Sequence, residues 1–476
     1  MREAPPVESA MSPLRLRLVT LLVTGALFME ILDGTVIATA LPSMARAFGT
    51  SAVALNLGVS AYLLALGVFI PLSGWICGRY GARRIFACAI ALFTVASALC
   101  GTANGLAAFV ALRIVQGVAG AMMVPVGRLV VIRHTPRERL MLTMSTLVWP
   151  ALVAPVFGPP LGGFIVMHAS WRWIFYLNVP LGLVGLAGAC WLLPGMRENA
   201  ARPFDLRGFL LSGIGTFALL LGLDRAVQRP GAVALGLLVL GACALFAAVR
   251  HLKRASAPML KLDAYAIPTF RAAMRGGALS RAAISSVPFL LPLLFQVGFG
   301  FSAFRSGLLV LAVFVGDISM KTVTTRILRR FGYRPVLIWN SLLCMASLFA
   351  CACLDRGMPA MAVMAVLFVS GAARSMQFTS LSTLAFADVP KERMADANSL
   401  FNTINQLSAA AGITFGALAV RVGGPIADAL GIHAGGAGFR AAFPLVALMV
   451  LPSLVDALRL PHGAGDHFVA RRPEPG

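Results

Sequence analysis

The stretch "MEILDGTVIATALP", residues 29–42, places two carboxylic acids inside an apolar run that begins near Leu18. Glu30 and Asp33 are three residues apart, so a helix would carry both on one face. A carboxylate at the centre of a bilayer costs roughly 2.5–3.5 kcal/mol on insertion scales. A membrane helix that retains two such residues is expected to use at least one of them in its function. The rest of the sequence indicates what that function is.

Apolar runs recur from one end of the chain to the other. Of its 476 residues, 59% are hydrophobic and 12% are charged, a balance that soluble domains do not show. A run of roughly 18–25 residues can cross the hydrocarbon of a bilayer as a helix. The candidate spans are 18–42, 56–76, 85–103, 106–132, 140–167, 173–194, 208–224, 232–250, 276–299, 305–325, 335–354, 358–387, 398–420 and 440–459. The sequence therefore predicts an all-α membrane protein with fourteen transmembrane helices, and its first run is too long and too acidic for a cleaved signal peptide.

The net charge of +22 is distributed unevenly between the two sides of this predicted topology. With the amino terminus in the cytoplasm, 27 of the 40 Lys and Arg fall in or beside the inner loops and tails, and eight fall on the outer side. This bias is the positive-inside rule with both termini cytoplasmic. The charge thus orients the chain in a lipid bilayer, and a nucleic-acid partner is not expected.

A short internal repeat divides the chain into two bundles. "RYGAR", residues 79–83, follows the second span, and "RFGYR", residues 330–334, follows the tenth. An offset of eight spans fits a repeated six-helix unit with two helices inserted between the copies. The predicted units are a cytoplasmic tail over 1–17, a six-helix bundle over 18–194, linkers with two inserted helices over 195–275, a second six-helix bundle over 276–459 and a disordered cytoplasmic tail over 460–476.

Buried charges of opposite sign occur in the first bundle. Arg113 lies well inside the fourth span, where a lone cation is about as costly as a lone carboxylate. Pairing of Asp33 with Arg113 is the simplest way to offset both costs, and it would form either a proton switch or a static structural ion pair. Glu30 would serve as a second proton or cation site facing a cavity, or lie nearer to water.

The fifth span contains "WPALVAPVFGPPLGG", residues 149–163, with four prolines and three glycines. Such a density would disrupt a soluble helix, but a membrane bundle tolerates it because small residues let helices approach closely. The segment predicts a bent helix about which two helices rock, or close packing alone.

Four segments taken together resemble a known family. "LDGTVIATALP" (32–42), "GWICGRYGARR" (74–84), "RIVQGVAGA" (113–121) and "GPPLGG" (158–163) look like successive signatures of the major facilitator superfamily. With "WRWIFYLNVPLG" (171–182), they resemble its fourteen-span drug:proton antiporter branch. The likeness extends over about residues 15–460. It implies the major facilitator fold, two six-helix bundles plus two inserted helices, in a bacterial inner membrane.

The resemblance also implies roles for individual residues. Asp33 matches the acid of the first signature and Arg113 the arginine associated with proton coupling. The gating-loop signature falls on Gly74, Gly81, Arg83 and Arg84, and the antiporter motif on Gly158, Pro159, Pro160, Gly162 and Gly163. One position departs from the pattern: Gly78 stands where the loop signature usually has an Asp, so the usual interaction of that charge with a helix cannot form.

Further polar residues lie inside the predicted spans. Asp317 and Lys321 have the spacing of a helical ion pair, and they would be either structural or part of a cavity. Arg281 and Arg374 have no obvious local partner, and Arg374 could meet an anionic substrate or a carboxylate of the other bundle. Candidate cavity residues, which could equally join helices, are Gln116, Gln296, Arg374, Gln377, Asn402 and Gln406. Neither Cys nor His has metal-ligand spacing, so no metal or cofactor is expected.

These features predict a monomeric, proton-coupled antiporter that exports small, mostly apolar or cationic compounds, as in multidrug efflux and antibiotic resistance. A dedicated exporter of a single metabolite with the same fold is the alternative. A membrane sensor or enzyme is more remote, because no nucleophile–base set occurs. An ATP-driven pump is disfavoured, because the phosphate-binding G-x-x-x-x-G-K-[ST] motif is absent.

Overall fold

The computed structural model describes residues 12–135, 140–193, 203–228, 231–390, 393–429, 431 and 436–461, and all regular elements in these ranges are helical. Thirteen described segments are long and apolar enough to cross a membrane, and the described residues add a shorter apolar helix at Val153–His168. Each of the fourteen predicted spans therefore corresponds to a helix, and the predicted all-α membrane fold is confirmed. The predicted tail over 460–476 lies almost entirely outside the described residues.

The helices follow the chain in one series. They are α1 (Pro13–Phe48), α2 (Asn56–Tyr80), α3 (Ala82–Thr102), α4 (Leu106–His134), α5 (Leu140–His168), α6 (Trp173–Tyr176), α7 (Asn178–Leu192), α8 (Leu206–Gln228), α9 (Ala232–Leu252), α10 (Pro268–Leu293), α11 (Ala303–Phe331), α12 (Tyr333–Ala352), α13 (Ala360–Ala387), α14 (Met394–Ala429), α15 (Ala437–Leu448) and α16 (Leu451–Arg459). The short helix α6 precedes α7 in the sixth span, and the fourteenth span is divided into α15 and α16.

Several helices are longer than the apolar runs that predict them. α1 begins at Pro13, whose fixed φ suits a first helical turn, and it ends at Gly49, which adopts a left-handed conformation with φ 62°. α10 begins at Pro268, within the region 195–275 predicted to hold linkers and the two inserted helices, and continues into a π-helical turn over Leu294–Gly298. Polar residues at helix ends interrupt the hydropathy signal but not the backbone hydrogen bonding.

The repeated loops occupy equivalent positions in the two bundles. Gly81 between α2 and α3 and Gly332 between α11 and α12 both have positive φ, 87° and 76°. The guanidinium of Arg83 donates to the carbonyl of Cys190 near the end of α7, and Arg334 donates to the carbonyl of Leu458 near the end of α16, at 3.1 Å. We call the side of the molecule that carries these two loops the basic face, and the other side the opposite face.

The inserted hairpin α8–α9 packs beside the junction of α2 and α14. Phe69 of α2 and Phe209 of α8 are in edge contact, with ring centroids 5.1 Å apart. Leu64, Leu220 and Ala410 share one buried cluster that joins the three helices. The hairpin thus borders both bundles without contributing to the core of either one.

The two bundles make close contacts near the opposite face. The amide of Asn56 donates to the carbonyl of Ile413, and the amide of Gln296 donates to the carbonyl of Thr39, both at 3.1 Å. A Cβ on Gly163 would lie 2.5 Å from the carbonyl oxygen of Ala303, so α5 and α11 touch through their backbones. Toward the basic face α2 and α14 separate, and a cavity opens between the bundles.

We expect Gly371→Ala to destabilise the second bundle. A Cβ there would overlap the backbone carbonyl of Val313, where α11 and α13 cross, and overpacking a tight site costs about 1–3 kcal/mol. Thermal unfolding in detergent should show a lower midpoint. Gly424→Ala in α14 is the matched control, because its Cβ meets open space. Equal midpoints for the two variants would contradict the close crossing.

A pH-dependent contribution is expected at Asp205, just outside the first turn of α8. Partial burial raises the pKa of Asp205, but hydrogen bonds from the Gly208 N–H, His251 and the Met259 N–H outweigh it and hold the pKa below its ordinary value. Stabilisation by a carboxylate with a depressed pKa is present above its unfolded value of about 3.9 and is lost as pH falls through the folded value.

Asp205→Asn should therefore lower the unfolding midpoint at neutral pH, and its difference from wild type should shrink in strong acid. Exposed Asp263, changed to Asn, serves as the control and should show little difference at either pH. A difference for Asp205→Asn that is independent of pH would refute this assignment.

Candidate functional site

Asp33 lies at the centre of a buried polar network in the first bundle. Its side chain is almost inaccessible, and Arg113 beside it is fully buried. Arg113 Nη1 is 2.6 Å from Asp33 Oδ2, whereas the amides of Gln116 and Asn178 donate to Oδ1 at 3.0 and 2.9 Å. The structure thus brings together the two residues that the sequence paired, with three donors on one carboxylate.

A second set of contacts fixes these donors. Gln116 Oε1 accepts a hydrogen bond from Arg113 Nη1 at 2.7 Å, and the Asn178 amide also donates to Ser97 Oγ at 3.0 Å. The guanidinium of Arg113 lies over the ring of Tyr62, 4.1 Å from its centroid. Helices α1, α2, α3, α4 and α7 each supply one or more of these groups. An unpaired charge at this buried position would be strongly destabilising. The network therefore stabilises the packing of the first bundle and also fixes the position of Asp33.

Sequence reasoning missed three members of this network: Ser97, Tyr62 and Asn178. The signal for Asn178 is present, since it is the one amide in "WRWIFYLNVPLG", residues 171–182, but the family resemblance gives this residue no role of its own. Ser97 and Tyr62 are ordinary residues of apolar helices. Whether they join the network depends on which sides of α3 and α2 face the interior of the bundle. Hydropathy alone does not specify these helix rotations.

Glu30 faces a different environment from Asp33. It lines a cavity of about 520 Å³, here called the basic-face cavity, between α1, α2 and α4 of the first bundle and α14 of the second. Asn402 and Gln406 line the opposing wall, and Gly74 and Arg128 also contribute. Glu30 Oε2 is buried and has no hydrogen-bond partner among the described residues. A cavity lined by one carboxylate, one guanidinium and several amides could accept a polar group, and a cation would meet the carboxylate of Glu30.

A second cavity of about 260 Å³ lies between the bundles nearer the opposite face, and we call it the central cavity. Its walls are mainly apolar and include Thr35, Pro159, Phe314 and Arg374. Arg374 is held by Asp317 of its own bundle at 3.2 Å, rather than by a carboxylate of the other bundle. Lys321 also approaches Asp317, at 3.9 Å. The central cavity therefore offers an apolar surface in which the guanidinium of Arg374 is already paired with Asp317.

Three candidate cavity residues lie elsewhere. Gln116 belongs to the Asp33 network, and Gln296 joins the bundles through the carbonyl of Thr39. Gln377 is fully buried in the second bundle, where it contacts Asn340, Ser341 and Ser453 at 2.8–3.1 Å. None of the three lines either of the two cavities just described.

Arg281 is placed away from both cavities. It is buried in the second bundle, 5.3 Å from the ring of Phe401, and it donates to the carbonyl of Ala273 at 3.1 Å.

The glycines of the fifth span let α5 lie directly against α1, the helix that carries Glu30 and Asp33. A Cβ on Gly158 would overlap the Thr35 hydroxyl, and one on Gly162 would overlap the Thr39 hydroxyl. On the other side of α5, the carbonyl of Pro159 occupies the space beside Gly307 of α11. Residues 158–163 of α5 therefore join α1 to the second bundle through close contacts. Pro160, in the same segment, is partly buried.

The loop signature is divided between two environments. Gly74 lies on the wall of the basic-face cavity, whereas Gly81 forms the turn at the basic face. Arg83 contacts the end of α7 and Arg84 is exposed. At Gly78, where an acid is usual, no side chain is available to approach a neighbouring helix.

Residues 23–413 match the family model described as Major Facilitator Superfamily. A protein of Klebsiella pneumoniae subsp. pneumoniae named "Putative multidrug resistance protein MdtD" is 35% identical over 458 residues, covering 95% of this chain and 96% of the relative. A protein of the same name from Citrobacter koseri is 37% identical over 455 residues, with the same two coverages.

Solved structures of transporters share the fold. A bacterial homologue of the human lysosomal transporter Spinster, in an inward-facing and unoccupied conformation, aligns with a TM-score of 0.67 at 13% identity, covering 98% of this chain and 100% of that one. The xylose transporter XylE from E. coli, in a partially occluded inward-open conformation, aligns with a TM-score of 0.59 at 15% identity over 93% of this chain and 96% of its own.

We expect strong energetic coupling between Asp33 and Arg113. Asp33→Asn or Arg113→Gln alone leaves an uncompensated buried charge, which costs about 3–5 kcal/mol. The double variant removes both charges and keeps groups that can hydrogen-bond, so it should lose much less stability than the sum of the two single variants. Thermal unfolding in one detergent measures all four proteins.

The exposed pair Lys261–Asp396, at 2.9 Å, provides the control cycle. Lys261→Gln and Asp396→Asn should couple by no more than about 1 kcal/mol, because solvent screens the pair. If the coupling energy between Asp33 and Arg113 is no larger than that of the control pair, the buried pair is screened by solvent, which would contradict the structure.

Proposed function

This chain belongs to the major facilitator superfamily of membrane transporters, and we propose that it is a proton-coupled antiporter that exports small, mostly apolar or cationic compounds by alternating access. The resemblance drawn from the sequence is confirmed at the level of the family, and so is the expectation that the chain is a transporter rather than an enzyme. Proton coupling, the direction of transport and the class of substrate are the proposal.

The observation that carries the proposal is the buried Asp33, held by one guanidinium and two amides inside the first bundle. Protonation of Asp33 removes the charge that pairs with Arg113 and weakens the hydrogen bonds that connect α1 to α4 and α7. A charge of this kind inside a membrane protein is costly to maintain, and proton relays are a common reason for its retention. Asp33 is therefore the proposed site of proton exchange.

The orientation follows from charge. The basic face would lie in the cytoplasm of a bacterial cell, at the inner membrane, because basic loops remain on the cytoplasmic side. Substrate would then enter the basic-face cavity from the cytoplasm or the inner leaflet. Closure of that side and separation of the contacts near the opposite face would release it outside, and a proton bound at Asp33 would return with the carrier. A single chain encloses both cavities, which supports function as a monomer.

The proposed class of substrate follows from the cavities. The central cavity is mainly apolar and its guanidinium is paired with Asp317, whereas the basic-face cavity contains the unpaired carboxylate of Glu30. An apolar compound with a positive charge matches both environments. The name of the curated relatives, a multidrug resistance protein, agrees with this class. A dedicated metabolite exporter is less well supported, because the guanidinium of Arg374 is already paired with Asp317.

The test uses purified protein in proteoliposomes with a trapped pH dye and an imposed pH gradient. Addition of lipophilic cations such as ethidium or tetraphenylphosphonium should dissipate the gradient in wild type, and Asp33→Asn should abolish the response. Asp263→Asn, which changes an exposed acid, is the matched control and should behave as wild type. Undiminished proton movement in Asp33→Asn would refute the role of Asp33, and a gradient that no cation dissipates in wild type would refute the proposed substrate class.

A further inference from the structure

We infer that protons pass between Asp33 and the basic-face cavity through Tyr62 and Glu30, with water in the space that Gly120 leaves open. The inference rests on the proposed function, because it assigns a route to the proton that Asp33 exchanges. It gives roles to two residues, Tyr62, which lies outside the family signatures, and Gly120, which lies within the signature 113–121 but has no role assigned there.

Tyr62 contacts the Asp33 network through its ring, and its hydroxyl lies near Gly120, a residue that lines the basic-face cavity. Its ring packs under the guanidinium of Arg113, and its side chain is almost completely buried. Its hydroxyl has no hydrogen-bond partner among the described residues. A buried hydroxyl without a partner costs about 1–3 kcal/mol, so its retention calls for water or for a function. A phenylalanine would supply the same ring to Arg113 without that cost.

The hydroxyl of Tyr62 and the carboxyl group of Glu30 converge on Gly120 of α4. A Cβ at this position would lie 3.5 Å from Tyr62 Oη and 3.7 Å from Glu30 Cδ. Gly120 also lines the basic-face cavity, as does Glu30. The glycine therefore leaves a space that is bordered by two polar groups, each with an unpaired buried oxygen. Polar surroundings of this kind favour a bound water.

Each group in this series can transfer a proton. A tyrosine hydroxyl accepts one hydrogen bond while it donates another. When the O–H bond of protonated Asp33 breaks, its proton moves to the Tyr62 oxygen, or to water beside it, as the hydroxyl releases its own proton toward Glu30. Glu30 then releases a proton to the water of the cavity. Tyr62 ends unchanged, and no group is oxidised or reduced.

Charged groups lie at both ends of the proposed proton route. Asp33 and Arg113 lie on its buried side, and Glu30 and Arg128 on the side of the cavity. Arg128 has no ion-pair partner among the described residues and faces the same cavity as Glu30. The side chains of α14 that line this wall of the cavity, including Asn402 and Gln406, are uncharged amides and one serine hydroxyl.

The experiment follows proton release after a rapid jump from about pH 4, where an ordinary aspartate is partly protonated, to about pH 8 on purified protein in detergent, with a pH dye and no substrate. Asp33→Asn should release fewer protons. Tyr62→Phe keeps the ring over Arg113 and should release the wild-type number, but with the slow phase retarded by about tenfold, or about 1.4 kcal/mol in barrier. The retarded phase should also show a larger effect of D₂O than wild type, which a structural change alone would not produce.

Gly120→Ala is the second variant, because its Cβ would make only ordinary contacts and would occupy the proposed water space. It should also retard release, whereas Gly25→Ala in α1, whose Cβ meets open space, should not. Wild-type rates in both Tyr62→Phe and Gly120→Ala, with protons still missing in Asp33→Asn, would overturn the route and leave the proposed function intact. A wild-type proton count in Asp33→Asn would overturn both.

Discussion

The interaction on which the structure depends is the neutralisation of one buried carboxylate by one buried guanidinium. Asp33 and Arg113 would each be prohibitively costly alone in the membrane interior, and together they tie α1 to α4. Gln116 and Asn178 complete the hydrogen bonding of the carboxylate. The carboxylate of Asp33 is well supplied with donors, whereas Nε and Nη2 of Arg113 have no hydrogen-bond partner among the described residues, and the stability of the network depends on a single charge that a proton can remove. This makes the pair suitable as a switch in a protein that is otherwise held by apolar packing.

Small residues determine how a change at that pair would reach the second bundle. α1 contacts α5 where Gly158 and Gly162 have no room for a side chain, and α5 contacts α11 through the backbones at Gly163 and Gly307. Packed helices with so little intervening space move as a unit, because side chains cannot absorb the displacement. The helix that carries Asp33 is therefore directly linked to the contacts that close the opposite face.

The sequence predicted the helices, the repeat and the pairing of Asp33 with Arg113, because hydropathy, spacing and the cost of buried charge are local or nearly local properties. It did not separate residues that line a cavity from residues that join helices: Gln377 is enclosed by its own bundle, whereas Asn402 faces the basic-face cavity. Nor did it predict the partner of Arg374, which is Asp317 in the same bundle. Those distinctions depend on helix rotation and crossing, which are set by tertiary packing.

The most direct test of the central claim, that the charge on Asp33 controls which face is closed, is the distance between the bundles at the opposite face as a function of pH. Spin labels at Thr102 and Met358, in a variant without other reactive cysteines, would report it by pulsed electron paramagnetic resonance. Wild type should show one short distance at high pH and gain a longer one as pH falls, whereas Asp33→Asn should show a distribution independent of pH. The same pH-dependent lengthening in Asp33→Asn would contradict the account.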